Sequence, residues 1–157
     1  MYLNLQKKRA LTILAFLYGM TMFFLLFLRI PRITPLPYTQ QLQQHLNPIP
    51  LHTIRHYLWI FRHSRLPYVL QYAVVNFFGN ILLFLPLGLF PPLLDKRFRK
   101  FWKTALLATV IMVCVELLQM LLLVGTCDVD DVILNVTGAS IGYGIYKLAT
   151  RHHPINE

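Results

Sequence analysis

Four of the six acidic residues of this 157-residue chain lie within or beside apolar stretches near its C-terminal end. They are Glu116, Asp128, Asp130 and Asp131. A carboxylate inside a membrane-length apolar run is costly, so such groups usually face a partner, a cavity or a ligand. The stretch from 116 to 143 is therefore where a functional site is expected.

Three kinds of chemistry fit these residue types. Oxygen ligands from Asp128, Asp130 and Asp131 could hold a divalent cation. The same carboxylates could accept hydrogen bonds from sugar hydroxyls or peptide amides, and Glu116 is a candidate acid or base. The sequence contains no nucleophile–base pair, glycine-rich phosphate loop or metal motif of known spacing. The residues thus indicate a polar site without naming a reaction.

The composition is that of an integral membrane protein. Hydrophobic residues make up 56% of the chain and charged residues 13%, against about 25% charged in an average soluble domain. The net charge of +9 comes from bases at the ends of apolar runs, where membrane orientation and anionic headgroups account for them. No nucleic-acid-binding motif accompanies the charge, so nucleic acid is not expected as a partner.

Hydropathy predicts an all-α fold with four transmembrane helices in a single domain over residues 1–157. Each apolar run is long enough to cross a bilayer of about 30 Å. The first ends beside arginines without a cleavage site, which favours an uncleaved helix over a signal peptide. The predicted spans are 10–30, 71–94, 104–124 and 131–149, with a segment at 31–70 outside the membrane.

The segment at 31–70 divides into two parts. Five prolines between 31 and 50 are expected to break any regular helix there. Between 51 and 65 the apolar residues recur at helical spacing, which predicts a short amphipathic helix on the membrane surface. Its apolar stripe is Leu51, Ile54, Leu58 and Phe61. His52 and His56 lie four apart, but without a third ligand they are better explained as part of a solvated polar face.

The distribution of bases sets the predicted orientation. Four spans with both termini inside place ten of the fifteen bases in the cytoplasm, including the dense cluster at 95–103. The other five bases fall in or beside the external segment. The opposite orientation would put the dense cluster outside the cell.

With that topology, the polar residues of three spans share one layer near the outer surface. Asn80 and Glu116 lie roughly 13 Å and 12 Å below it at 1.5 Å per residue, and Asn135 is one turn into the last span. A lone Asn76 or Gln119 is more often interhelical glue than a ligand, but convergence in one layer favours a site. The candidate ligand-binding residues are Asn76, Asn80, Glu116, Gln119, Asp128, Asp131 and Asn135, with Arg55 and Arg62 near the mouth.

Small residues continue the acidic stripe of the last span. Gly138 and Gly142 follow Asp131 and Asn135 at spacings of three and four, so all four lie on one helix face. A small-xxx-small pattern permits close approach of another helix. The stripe therefore points the acids at a helix–helix interface, and the glycines are a candidate contact with a second copy of the chain.

Several short motifs follow one another over roughly residues 47–146. They are Asn47-Pro-Ile-Pro-Leu-His-Thr-Ile54, Asn76-Phe-Phe-Gly-Asn80, Phe84-Leu-Pro-Leu-Gly88, Glu116-Leu-Leu-Gln119, Asp128-Val-Asp-Asp-Val-Ile-Leu-Asn135-Val-Thr-Gly138 and Gly142-Tyr143. In this order and in a four-span chain, they resemble the VanZ-like family. Many family members carry an arginine before the acidic motif, where this chain has Gly125-Thr126-Cys127.

The resemblance implies a multi-pass protein of a bacterial, Gram-positive cell membrane, with a role in tolerance to teicoplanin-like glycopeptide and lipoglycopeptide antibiotics. Three functional hypotheses follow. The first is a non-enzymatic protein whose outer polar site engages an envelope component or a lipid-anchored antibiotic. The second is an enzyme on an envelope lipid, with an Asp-held divalent cation. The third is a structural partner in a membrane complex.

Overall fold

A computed structural model describes residues 5–28 and 34–151. Within these ranges the chain is almost entirely helical, and the predicted end of the first span at 30 lies outside them. The helices are α1 (Leu5–Phe27), α2 (Tyr38–Gln44), α3 (His52–His63), α4 (Pro67–Leu94), α5 (Phe101–Leu121) and α6 (Val129–Arg151), with a 3-10 turn at Lys96–Phe98. Two short strands, β1 (Leu46–Asn47) and β2 (Cys127–Asp128), form a parallel pair that the all-α prediction did not include.

Three of these helices, α1, α4 and α5, are long and apolar enough to cross a membrane. The protein is therefore an all-α membrane protein apart from the short strand pair. Helix α6 has 23 residues but does not reach the same apolarity among the described segments. The physical reason is its central position. Eight residues of α6 are buried inside the bundle, whereas α1 buries only Met22.

Helices α4 and α6 make the closest helix–helix contact. A Cβ atom placed on Gly138 would lie 2.1 Å from the carbonyl oxygen of Ile81, and one on Gly142 would lie 1.9 Å from that of Leu85. Gly88 of α4 is equally close to the Ala139 carbonyl. The two backbones therefore touch through glycines from both sides. The face that the sequence offers as a contact with a second copy is covered by α4 of the same chain.

This close approach gives a test of helix packing. Gly142→Ala should destabilise the protein by about 1–3 kcal/mol because the added methyl forces the two backbones apart. Gly144→Ala is the matched control on the same helix, since a Cβ there meets no atom within 4 Å. Unfolding of the purified protein in a denaturing detergent titration measures both. Equal stability of the two variants would contradict the packing described here.

Helix α1 is held mainly at two points. The Tyr18 hydroxyl donates to the Leu83 carbonyl of α4 at 2.9 Å, and the Gln119 amide of α5 donates to the Leu26 carbonyl at 2.9 Å. Between these bonds Met22 packs with Phe84 and Met112 in a small core cluster. The three predicted spans thus meet at one depth around Met22.

The segment before α4 differs from the prediction in two respects. Helix α2 forms between Pro37 and Pro48, where the prolines were expected to exclude a helix; Pro37 precedes its first turn, where a missing N–H costs nothing. The buried face of α3 is also rotated from the predicted stripe. Tyr57 and Ile60 are buried, whereas Leu58 is 51% exposed.

Aromatic packing explains that rotation. The Tyr57 ring meets Phe77 of α4 edge-on, with ring centroids 6.4 Å apart, and Ala73 of α4 is buried in the same cluster. The Tyr57 ring thus lies between α3 and α4. Helix α3 is therefore fixed to α4 by an aromatic contact.

Candidate functional site

The parallel strand pair brings two distant polar stretches together. Leu46 lies opposite Cys127 and Asn47 opposite Asp128. The Cys127 N–H also donates to the His45 carbonyl at 2.7 Å. The segment that precedes α3 is thereby joined to the loop that precedes α6, 81 residues later.

Asp128 is the centre of the hydrogen-bond network at this junction. Its Oδ2 atom accepts from the Thr53 hydroxyl at 2.6 Å and from the Asn47 amide at 2.9 Å. Its Oδ1 atom accepts from the Asp130 N–H at 2.8 Å, and its own N–H donates to Glu116 Oε2 at 3.2 Å. One buried residue thus connects α5, α6 and the external segment.

Asp130 caps helix α3 from a distance. It is fully buried, and its two carboxylate oxygens accept from the backbone N–H groups of Leu51 and Ile54. Leu51, which precedes α3, has a left-handed φ of 64° and no side-chain cap. A helix start without a local cap needs acceptors from elsewhere, because its first N–H groups lack helical partners. From the sequence, Asp130 was a candidate metal ligand or an acceptor for the donors of a ligand, and its role at the start of α3 was not predicted.

The capping role predicts that Asp130→Asn destabilises the start of α3. An amide has one acceptor oxygen, so one of the two N–H groups would face an NH2 group, at a cost of about 1–3 kcal/mol. Hydrogen exchange of the amides of 51–56 should accelerate. Asp95→Asn is the control, since Asp95 lies beyond α4 and pairs with Arg97. Unchanged exchange in Asp130→Asn would show that the cap does not hold α3.

Asp131 is hydrogen-bonded to α4, whereas Asp130 is hydrogen-bonded to the start of α3. The Asn80 amide donates to Asp131 Oδ1 at 2.8 Å, and Asp131 is partly exposed. Burial, and then the neighbouring Tyr72 and Asp131, raise the pKa of Tyr57 above its ordinary value. Asn80, Asp131 and the two tyrosines therefore form one wall of the site, with Tyr57 and Tyr72 rings 6.3 Å apart.

Glu116 joins α5 to this polar region through its bond to the Asp128 N–H. It is 4% exposed and lies on the buried stripe of that helix with Thr104, Ala108 and Met112. The pKa of the Cys127 thiol, in the loop before α6, is raised first by burial. The negative charges of Glu116 and Asp128 raise this pKa further. Cys127 is a free, half-buried thiol, and its pKa therefore depends on the charge of Glu116.

This coupling predicts that Glu116→Gln lowers the pKa of Cys127. A larger thiolate fraction would then speed alkylation of Cys127 at pH 8, because the thiolate is the nucleophile. The measurement is the rate of maleimide labelling against pH in a Cys114→Ala background, which leaves one thiol. Asp95→Asn should leave the rate unchanged. A rate in Glu116→Gln equal to wild type across the pH range would argue against the charge contact.

Asn135 adds an acceptor without a partner. It is 2% exposed, and its Oδ1 atom is buried with no hydrogen-bond partner among the described residues. Side chains on a helix lean toward its N-terminus, so Asn135 projects over the turn that carries Asp131. A buried unpaired acceptor costs free energy unless a donor reaches it. The Oδ1 atom of Asn135 could therefore accept a hydrogen bond from a donor group of a ligand.

A family model described as VanZ/LLP1 matches residues 13–150. The chain belongs to the VanZ/LLP1 family. It is also 31% identical over 75 residues to Protein VanZ of Enterococcus faecium, which covers 46% of this chain and 45% of that relative. The match thus spans about half the length of the curated relative. No solved structure matches this chain.

Two predicted site residues of this VanZ/LLP1 protein donate hydrogen bonds to backbone carbonyls of helices. Gln119 is buried and donates to the Leu26 carbonyl of α1. The Asn76 amide donates to the Tyr72 carbonyl one turn earlier in its own helix, at 2.7 Å. Arg55 and Arg62 are exposed on α3. Of the residues nominated from sequence, the network described above includes Asn80, Glu116, Asp128 and Asp131, and Asn135 lies one turn from Asp131.

The three aspartates do not form a common ligand set. No group of three or more His, Cys, Asp or Glu side chains with metal-site geometry occurs within residues 5–28 and 34–151. Asp128 and Asp130 direct oxygens at donors of the segment 47–54, and Asp131 accepts from Asn80 on α4. In this VanZ/LLP1 protein the oxygens of the three aspartates are therefore bonded to donors of two separate segments.

Proposed function

We propose that this family member is a four-span binding protein of the bacterial cell membrane, with both termini in the cytoplasm. Its site at the outer leaflet binds hydrogen-bond donors of an envelope component or of a teicoplanin-like lipoglycopeptide. The observation that carries the proposal is the set of acceptors on two helices, Glu116 of α5 and Asp131 and Asn135 of α6, with the Asn80 amide of α4 bonded to Asp131.

A spanning α6 is supported by its exposed apolar ridge. Ile133, Ile141, Ile145 and Leu148 are exposed along its length, where lipid would cover them. Its 23 residues extend about 35 Å, enough for a hydrocarbon core of about 30 Å. The connection from α5 is short, as expected for antiparallel neighbours. The polar and small residues of α6 face inward, so its low apolarity does not expose polar groups to lipid.

The chemistry of the site favours a ligand rich in donors. A carboxylate offers about four lone-pair positions, and the Asn80 amide occupies one of those of Asp131. Hydroxyl and amide N–H groups, which sugars and peptides carry, complement such acceptors. The tyrosines at 57 and 72 supply aromatic surface beside them, which suits an amphipathic ligand. The family resemblance supplies the link to teicoplanin-like antibiotics.

The proposal is tested by drug susceptibility in a glycopeptide-sensitive Gram-positive host. Expression of the chain should raise tolerance to teicoplanin, and Asp131→Asn or Glu116→Gln should abolish the increase at equal membrane abundance. The reason is that each variant removes the negative charge of one proposed acceptor. Minimum inhibitory concentrations of teicoplanin and vancomycin are the measurement.

Asn76→Ala is the matched control, because the Asn76 amide bonds within its own helix, and it should behave as wild type. Loss of tolerance in Asn76→Ala as well would point to a general loss of folding. Full tolerance in both acidic variants would exclude this site. If neither wild type nor any variant raised tolerance, the antibiotic would be excluded as the ligand. An envelope component would then be the ligand to test.

A further inference from the structure

An apolar groove runs between α1, α4 and α5, on the bundle surface where α1 is least tightly packed. Its volume is about 430 Å³, within the range of ligand pockets of about 300–1,000 Å³. The wall is apolar apart from the Tyr18 hydroxyl, which is bonded to α4. Residues from all three helices line it, among them Ala15, Gly19, Pro86, Leu94 and Leu107.

Small and rigid residues create this space. Gly19 and Ala15 leave space between the larger α1 side chains that line the groove, and a Cβ on Gly19 would meet no atom within 4 Å. Pro86 and Pro91 of α4 line the opposite wall. Such an apolar surface offers water no hydrogen bonds, whereas a hydrocarbon chain makes favourable apolar contacts with it. Within a bilayer the groove therefore suits an acyl chain.

The groove reaches the end of the bundle that carries the bases. Met22, Phe84 and Met112 pack together and share one depth. From that depth Leu94 is ten residues further along α4, about 15 Å, and Lys103 is nine residues back along α5, about 14 Å. Leu94, which lines the groove, and Lys103, which does not, thus lie at about the same depth in the bundle.

Two bases project from the helix faces that line the groove. Lys103 precedes the lining residue Leu107 by four positions, and Lys8 precedes Ala15 by seven, so each shares a face with its lining residue. Both are exposed. Neither forms an ion pair with a described residue. Their long side chains can reach the mouth of the groove from two sides.

We propose that this groove binds an anionic phospholipid, with one acyl chain between α1, α4 and α5 and the phosphate between Lys8 and Lys103. Charge complementarity at the mouth selects an anionic over a zwitterionic headgroup. With cytoplasmic termini, the phosphate lies in the inner leaflet. The site is separate from the acidic site and does not depend on the function proposed above.

The test is native mass spectrometry of the full chain, released from nanodiscs of equimolar phosphatidylglycerol and phosphatidylcholine. Wild type should retain phosphatidylglycerol preferentially. In Lys8→Gln/Lys103→Gln the preference should fall by about tenfold or more, since each base near a headgroup contributes about 1 kcal/mol. Gly19→Phe should lower retention of phosphatidylglycerol because the ring fills the groove without a backbone clash.

Each variant has a matched control. Lys7→Gln/Lys147→Gln removes the same charge from other helix faces, and Gly144→Phe adds the same ring at another open glycine. Both should retain lipid as wild type does. An equal loss of preference in the two lysine pairs would mean unspecific surface attraction and would overturn the proposal. Wild-type retention in Gly19→Phe would also overturn it.

Discussion

The contact of α4 with α6 is the constraint on which the rest of the structure depends. Backbone atoms touch at Gly88, Gly138 and Gly142, so the two helices lie closer than side chains would permit. Only at this separation can the short amide of Asn80 reach the carboxylate of Asp131. The polar pair and the glycines are therefore parts of one interface, with the glycines setting the distance and the pair closing its outer end.

The four carboxylates near the start of α6 have different tasks. Asp128 and Asp130 accept from Asn47, Thr53 and the backbone at the start of α3, which fixes the external segment over the bundle. Hydroxyl and N–H donors surround these two carboxylates. Asp131 accepts from Asn80 of α4, and Glu116 of α5 accepts from the Asp128 N–H. An acidic motif that is continuous in the sequence thus divides between contacts to the segment before α4 and contacts to the long helices.

A feature of this structure could be predicted from the sequence where its physical cause lies in neighbouring residues. The apolar runs predict α1, α4 and α5 because a helix in lipid needs continuous apolar surface. Depth along the helices predicts one layer for Asn80, Glu116 and Asn135, and in the structure Asn80 is hydrogen-bonded to Asp131, one turn before Asn135. The cap of α3 by Asp130 and the pairing of Asn47 with Asp128 join residues about 80 positions apart. No local pattern encodes such contacts, although the uncapped start of α3 was a signal that an acceptor had to come from elsewhere.

The rotation of α3 has a different cause. The apolar stripe of the sequence includes Leu58, whereas Tyr57 is the residue that packs against α4. The aromatic residues of α4, Phe77 and Tyr72, offer edge-on contacts that a leucine cannot make. Tyr57 is therefore drawn inward, and its ring lies near the charge of Asp131. Because α3 is capped by Asp130 at one end and held by Tyr57 in its middle, the acidic motif and α4 together fix its position.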